Sequence, residues 1–230
     1  MKTIGLIGGM SWESSIEYYR IINEAVRDKL GGLHSAKSIM YSVEFAEIEA
    51  LQHAGRWEAA ARILITAAQS LEKAGADVVL ICTNTMHKLY DNVERKIGIP
   101  MLHIADATAE VIRSKGIAKV GLLGTRFTME EDFYKGRLIE KYDLEVIIPG
   151  SADMDKIHRV IYDELCAGVI EPASKLFYAD TIDRLVTAGA QGIILGCTEI
   201  GLLVNQEDSS VPLFDTTEIH AKAAVQYALE

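Results

Sequence analysis

"TAGAQGIILGCTE", residues 187–199, reads as a second copy of "KAGADVVLICTNT", residues 73–85. Gly189 aligns with Gly75 and Ala190 with Ala76, both 114 residues on. Each stretch runs from the end of a helical pattern through Ala-Gly-Ala into an apolar run that breaks abruptly into polar residues. Continuous apolar runs of this kind belong to parallel strands covered on both faces. A second pair recurs in the same order: "IGLIGG" (4–9) and "VGLLGT" (120–125), with Gly5 and Gly121 lying 116 residues apart. Two matched signals at nearly one offset imply two similar α/β lobes. We expect them to divide near residue 115, as residues 1–115 and 116–230, with the C-terminal helix free to cross over.

The rest of the chain alternates in the same way. "TIGLIG" (3–8) reads as a buried strand, followed by a helical stripe of Ile16, Tyr19, Ile22, Val26 and Leu30 that ends at Gly31-Gly32. "SIMYSVEF" (38–45) is strand-like. Trp57, Ala61, Leu64, Ala68 and Leu71 mark a helix that stops before Gly75. The second half repeats the theme with a helix over 106–115, "KVGLLG" (119–124), and a helix start with capping-box spacing in Thr128 and Glu131. "LEVII", helices near 155–167 and 171–188, "QGIILG", "VPLF" and a last helix from about 217 complete it. Strand–helix alternation of this kind predicts an α/β fold of two pseudo-symmetric lobes, each a parallel sheet flanked by helices, with the active site in the interlobe cleft.

Composition mainly excludes. With 230 residues, 49% of them apolar, the chain can bury a full core. A net charge of −10 argues against nucleic acid or an anionic membrane surface as a partner. The N-terminal apolar run is too short for a signal peptide, and no stretch reaches the length of a membrane span. Three widely spaced cysteines, Cys82, Cys166 and Cys197, form no C-x-x-C pair. A disulfide framework or a zinc site is therefore not expected, and a reducing cytoplasm is the natural setting. His34, His87, His103 and His220 show no metal-ligand spacing and are read as structural.

The repeat also sorts the polar residues at the strand ends. Carried forward by 114, Cys82 falls on Gly196 and Thr83 on Cys197. Thr83 and Cys197 thus become partners at the carboxyl ends of equivalent strands, where open α/β sheets build their sites. Cys82 then points elsewhere, unless the strand end bulges, and reads as a packed small hydrophobe; Cys82 in place of Thr83 as the proton donor is the alternative. Cys166, on an amphipathic pattern, reads as core or pocket wall. Two proton-handling groups on opposite sides of a ligand suit removal of a proton from one face of a carbon and its return to the other. For an amino acid that is racemisation. "TNT" (83–85) and "CTE" (197–199), each ahead of an expected helix, would supply backbone N–H groups to stabilise the carbanion. A helix N-terminus would also lower the Cys197 pKa and make it a thiolate base near neutral pH.

The stretches "GGMSWESS", "LGGLHSA", "CTNTMHK", "LHIADAT", "LLGTRFTM", "DFYKGRL" and "GCTEIGLL" resemble the aspartate/glutamate racemase family, which works without pyridoxal phosphate. The likeness runs from Met1 past Leu203 and is strongest to its enterobacterial broad amino-acid branch. It implies a small-molecule amino-acid substrate, no cofactor, no metal and a homodimer. Most members of the family place a catalytic cysteine directly before Asn-Thr, where this chain has Thr83; Cys197 matches the second cysteine. By that resemblance Met10, Gln52, Thr83, Asn84, Thr85 and Thr198 line the substrate pocket and Glu199 orients the amine. The family's aspartate racemases hold the distal carboxylate with an Arg after the second strand and a Lys in a later helix. "VEFAEIEALQ" (43–52) has no Arg, and Cys166 stands where the Lys would fall, so the substrate side chain stays open. A maleate isomerase or malonate-decarboxylase-like enzyme, and a non-catalytic amino-acid-binding module, are the rival readings.

Overall fold

The two repeats become two parallel ladders in the same register. In the computed structural model, which describes residues 1–230, β1 (Ile4–Gly8) pairs in parallel with β2 (Ser38–Ser42) and β3 (Val78–Ile81), in the order β2-β1-β3. The second sheet has the order β5-β4-β6-β7, with β4 at Lys119–Gly124, β5 at Glu145–Ile147, β6 at Ile193–Gly196 and β7 at Leu213–Asp215. Gly5 lies opposite Val79 in one sheet and Gly121 opposite Ile193 in the other. These are the same rung, moved by the two sequence offsets. Even the outer rung recurs: the Val79 N–H donates to the Pro100 carbonyl, as the Ile193 N–H does to that of Pro212. In the second sheet this edge grows into β7, whereas in the first it stays a single bridge between Val79 and Met101.

The helices follow from the periodic stretches. In chain order they are α1 (Trp12–Leu30), α2 (Phe45–His53), α3 (Trp57–Lys73), α4 (Tyr90–Glu94), α5 (Ile104–Ser114), α6 (Arg126–Glu130), α7 (Lys135–Tyr142), α8 (Ser151–Asp163), α9 (Pro172–Thr187), α10 (Ile200–Leu203) and α11 (Thr216–Leu229). Several differ from the sequence expectation. The capping box expected at Thr128 and Glu131 is absent; Thr125 caps α6, its side chain accepting the Thr128 N–H, because the chain leaves β4 directly into that turn. The stripe expected on α1 splits. Tyr18, Ile21, Ile22 and Val26 are buried, while Trp12, Ile16, Tyr19 and Leu30 stay exposed.

The chain forms two compact units: Met1–Ile104 with His220–Glu230, and Ala105–Ile219. The division thus falls at 104 rather than near 115, and the last part of α11 belongs with the first unit. There, Ala221, Ala224, Val225 and Ala228 pack with Ile4, Leu6, Val78, Leu80 and Cys82 on one face of the sheet. The other face is covered by α3, which buries Ala61, Leu64, Ala68 and Leu71. Both faces of β1 and β3 are therefore dry, which is why their sequences are unbroken apolar runs.

The C-terminal segment also delivers His220, fully buried. Its Nε2–H donates to the Leu102 carbonyl at 3.0 Å, so Nδ1 must accept, and it does so from the Tyr18 hydroxyl at 2.8 Å. Burial, together with nearby His87, pushes the His220 pKa from 6.5 down to about 3. The unfolded chain binds this proton near 6.5 while the folded one refuses it until about 3, so folding is favoured above that window and weakened within it. The loss is on the order of a few kcal/mol across the window. Thermal melts from neutral pH downward should show a falling midpoint, and His220→Gln should lower the neutral-pH midpoint yet flatten this acid dependence. An unchanged acid slope in the variant would assign the effect to other groups.

Candidate active site

The register of the two ladders levels the strand ends. The Cys82 N–H donates to the Ile7 carbonyl at 2.9 Å, one rung past Ile81; the equivalent rung in the second sheet pairs Gly124 with Gly196. Cys82 therefore corresponds to Gly196, and Thr83 to Cys197. Cys82 is fully buried among Ile4, Leu6, Val78 and Leu80, and burial pushes its thiol far above the ordinary range. Thr83, one residue on, is half-buried. A Cβ on Gly196 would come within 2.8 Å of the Leu123 carbonyl oxygen, so no side chain fits where Cys82 has its counterpart.

In the first unit the strand ends carry a network of small polar groups. Gly9 has φ +88°, and a Cβ there would lie 2.3 Å from the Val43 oxygen, so only glycine can turn the chain out of β1. Its N–H donates to Ser15 Oγ at 2.7 Å, and Ser14 and Ser15 both donate to the Ser11 carbonyl. Ser14 Oγ also lies 3.5 Å from the Cys82 carbonyl. The sequence reading assigned nothing to these serines, although three in five residues at a strand-to-helix junction were the available signal. Of the pocket residues expected from the resemblance, Met10, Gln52, Asn84 and Thr85 are all buried in this unit. Met10 packs in the core cluster that holds Ile48 and Met86, and the Gln52 amide lies 2.9 Å from the Met86 sulfur.

His87 follows Thr83 within a 3-10 turn, Thr85–Leu89. Its Nδ1–H donates to the Thr83 carbonyl at 2.8 Å, and its Nε2 accepts the Ile104 N–H at 3.2 Å. A backbone N–H can only donate and a carbonyl can only accept, so the ring is held as one neutral tautomer. His103 lies against it with ring centroids 4.7 Å apart, and His220 at 5.7 Å. These histidines come from distant parts of the chain, so no local spacing announced them. No group of three or more His, Cys, Asp or Glu side chains is arranged to hold a metal ion.

In the second unit Cys197, Thr198 and Glu199 are buried. The Cys197 thiol donates to Glu199 Oε2 at 3.0 Å, and the Thr198 hydroxyl donates to the same oxygen at 2.6 Å. This reverses the expectation of a helix-terminal thiolate. The helix that follows, α10, spans only four residues, too few to carry a useful dipole. Burial, then the Glu199 carboxylate, then Cys166 push the Cys197 thiol well above its ordinary value. Cys166 itself sits half-buried in a 3-10 turn after α8, rather than within the expected helix.

Residues 7–224 match the Asp/Glu/hydantoin racemase family. The chain belongs to that family. As a racemase it is an isomerase acting on amino acids, and its relatives bear the same stamp. It is 59% identical to a putative Asp/Glu racemase from Yersinia pestis, over all of both chains, with a TM-score of 0.93. An aspartate racemase homologue from Pyrococcus horikoshii OT3 is 39% identical over all of both chains, with a TM-score of 0.87. The broad-specificity amino-acid racemase RacX of Bacillus subtilis strain 168 is 26% identical over 71% of this chain and 70% of its own.

The racemase's buried thiol can be titrated directly. Iodoacetamide should modify Cys197 only as the pH rises well past the ordinary thiol value, because the thiol form is the one its surroundings favour. Glu199→Gln removes the neighbouring negative charge and should move the onset of alkylation to lower pH. An onset in the wild-type enzyme below the roughly 8.5 of free cysteine would contradict this geometry.

Proposed function

We propose that this racemase inverts amino acids at Cα without a cofactor, Cys197 removing the proton from one face and Thr83 returning one to the other. The observation that carries the reading is the common level of Thr83 and Cys197 in two matched ladders. A threonine hydroxyl is too weak an acid to serve as a base at neutral pH, yet an α-carbanion is basic enough to take its proton. The roles are therefore unequal and one enantiomer meets the better base; the resemblance to the broad amino-acid branch makes that the L-enantiomer in this proposal.

The protonated resting state of Cys197 fits this scheme once a substrate is considered. An incoming amino acid carries an ammonium group, and a positive charge beside Glu199 offsets the carboxylate that holds the thiol proton in place. Glu199 would thus orient the amine and, with its charge offset, let the thiol give its proton to solvent, leaving the thiolate that takes the Cα proton. Thr198, donating to Glu199, fixes that carboxylate. Asn84 and Thr85 would bind the substrate carboxylate and side chain, with Met10 and Gln52 as the pocket wall. The substrate side chain is an amino-acid side chain of the broad kind named for RacX rather than an acidic one alone, since Cys166 replaces the lysine of the aspartate-specific pattern. The enantiomers have equal free energy, so any preference appears in kcat and KM separately and the equilibrium mixture is 1:1.

Three cysteines, none of them in a disulfide, support a reducing cytoplasm as the working compartment. No helix is long and apolar enough to cross a membrane. Trp12, Ile16 and Tyr19 form an exposed apolar stripe at helical spacing on α1, which supports a homodimer covering that face. Light scattering should report a dimer, and Ile16→Glu should shift it to monomer without unfolding it; a wild-type monomer would remove the dimer from the proposal.

Heavy water tests the mechanism. With L-substrate, the wild-type enzyme should wash deuterium into Cα faster than D-product accumulates, because the Cys197 thiol exchanges with solvent and often returns the proton itself. Thr83→Ala should suppress inversion and leave wash-in, Cys197→Ala should abolish both, and Thr83→Cys should bring inversion closer to exchange. Carbonyl-trapping reagents and chelators should leave all wild-type rates intact. If Cys82→Ala stops inversion while Thr83→Ala does not, Cys82 is the donor and the assignment moves by one residue. A substrate confined to dicarboxylates with no Cα exchange would favour the maleate-isomerase or decarboxylase reading, and binding without exchange would favour a binding module.

A further inference from the structure

Behind the Thr83 turn lies a polar element that proton transfer itself does not use. His87 joins two backbone groups far apart in sequence, the Thr83 carbonyl and the Ile104 N–H, through opposite edges of one buried ring. The ring cannot change tautomer without placing a lone pair against a carbonyl and an N–H against an N–H, and turning over would set C–H edges where both nitrogens now bond. It cannot translate either, since His103 lies against it at 4.7 Å, His220 at 5.7 Å and Tyr90, nearly parallel, at 6.2 Å. His220 is itself held at both nitrogens, by Leu102 and Tyr18, so the supporting layer is wired as firmly as the ring it supports. A purely space-filling residue here would need none of this directional bonding.

We propose that His87 is a positioning residue for the proton donor: it fixes the carbonyl of Thr83, and with it the direction of the Thr83 side chain. This rests on Thr83 being the donor proposed above. Thr83 is half-buried and follows the last ladder rung, so the strand no longer holds its carbonyl. The Nδ1–H bond of His87 takes over where the ladder stops. A hydroxyl that must deliver a proton to one carbon tolerates little rotational freedom, since a misplacement of about 1 Å costs on the order of a hundredfold in rate.

The two edges of the ring can be separated by mutation. Asn at position 87 puts an amide N–H near the place of Nδ1 and keeps the donor to Thr83, losing the acceptor for Ile104. Gln puts its amide oxygen near the place of Nε2 and does the reverse. His87→Asn, His87→Gln and His87→Ala would be assayed in heavy water with L-substrate, inversion read by chiral chromatography and wash-in by NMR, with thermal melts alongside. Inversion kcat should fall about tenfold or more in the Ala and Gln variants and by less than about threefold in Asn, while L-face wash-in and KM stay within about twofold throughout. Should the Ala variant fail to fold, the Asn and Gln pair decides. Rescue by Gln and not Asn, parallel loss of wash-in and inversion, or wild-type inversion in both variants would each overturn the proposal. Thr83→Ala separates the two layers of the argument. If it inverts normally, the donor assignment falls and takes this inference with it; if it loses inversion while His87→Gln keeps it, the inference alone falls.

Discussion

Everything functional in this chain hangs on a backbone ladder. Parallel pairing puts Gly5 against Val79 and Gly121 against Ile193, and from those two rungs the level of every strand end follows. Because successive residues on a strand alternate faces, a slip of one residue would exchange Cys82 for Thr83 at the sheet end. The slip is prevented by packing. Cys82 is fixed in a core of Ile4, Leu6, Val78 and Leu80, and Gly196 occupies a space that no side chain can enter. Register, not the identity of the thiol or hydroxyl, decides which group emerges from each sheet.

The ends of the two sheets are finished differently, although they begin alike. The first has histidine: one neutral ring tying the Thr83 carbonyl to Ile104, supported by two more. The second has a carboxylate, Glu199, receiving the thiol and hydroxyl protons of its two neighbours. In the proposed mechanism the first would hold a neutral donor still, and the second would keep a thiol protonated until a positive charge arrives. Pseudo-symmetry of the backbone carries no matching symmetry in acid–base character.

Much of this was legible in the sequence. Unbroken apolar runs such as "DVVLI" and "GIILG" announce strands dry on both faces, and the 114-residue repeat alone matches Thr83 with Cys197. What escaped depended on length or on distance. α2 carries too weak an apolar pattern to be read. The helix after Cys197 is real but four residues long, and a sequence pattern cannot report where a helix gives up. That error inverted the expected state of the thiol, since burial and Glu199 then act unopposed. Ile16 and Tyr19 share an apolar pattern with Ile22 and Val26 but face outward, because periodicity marks a stripe without saying which neighbour will cover each part of it. The histidines at 87, 103 and 220 meet only through the fold.

The return of α11 to the first unit sets an order of assembly. Lys2 donates its backbone N–H to Ala228, and the sheet of β1 and β3 is roofed in part by Ala221, Ala224 and Val225. A ribosome delivers residues 105–219 as one uninterrupted piece, whereas the unit begun before it lacks its roof until residues 220–230 leave the exit tunnel. Of the two units, the one begun first is therefore completed second, and the His220 that supports His87 arrives with that returning segment.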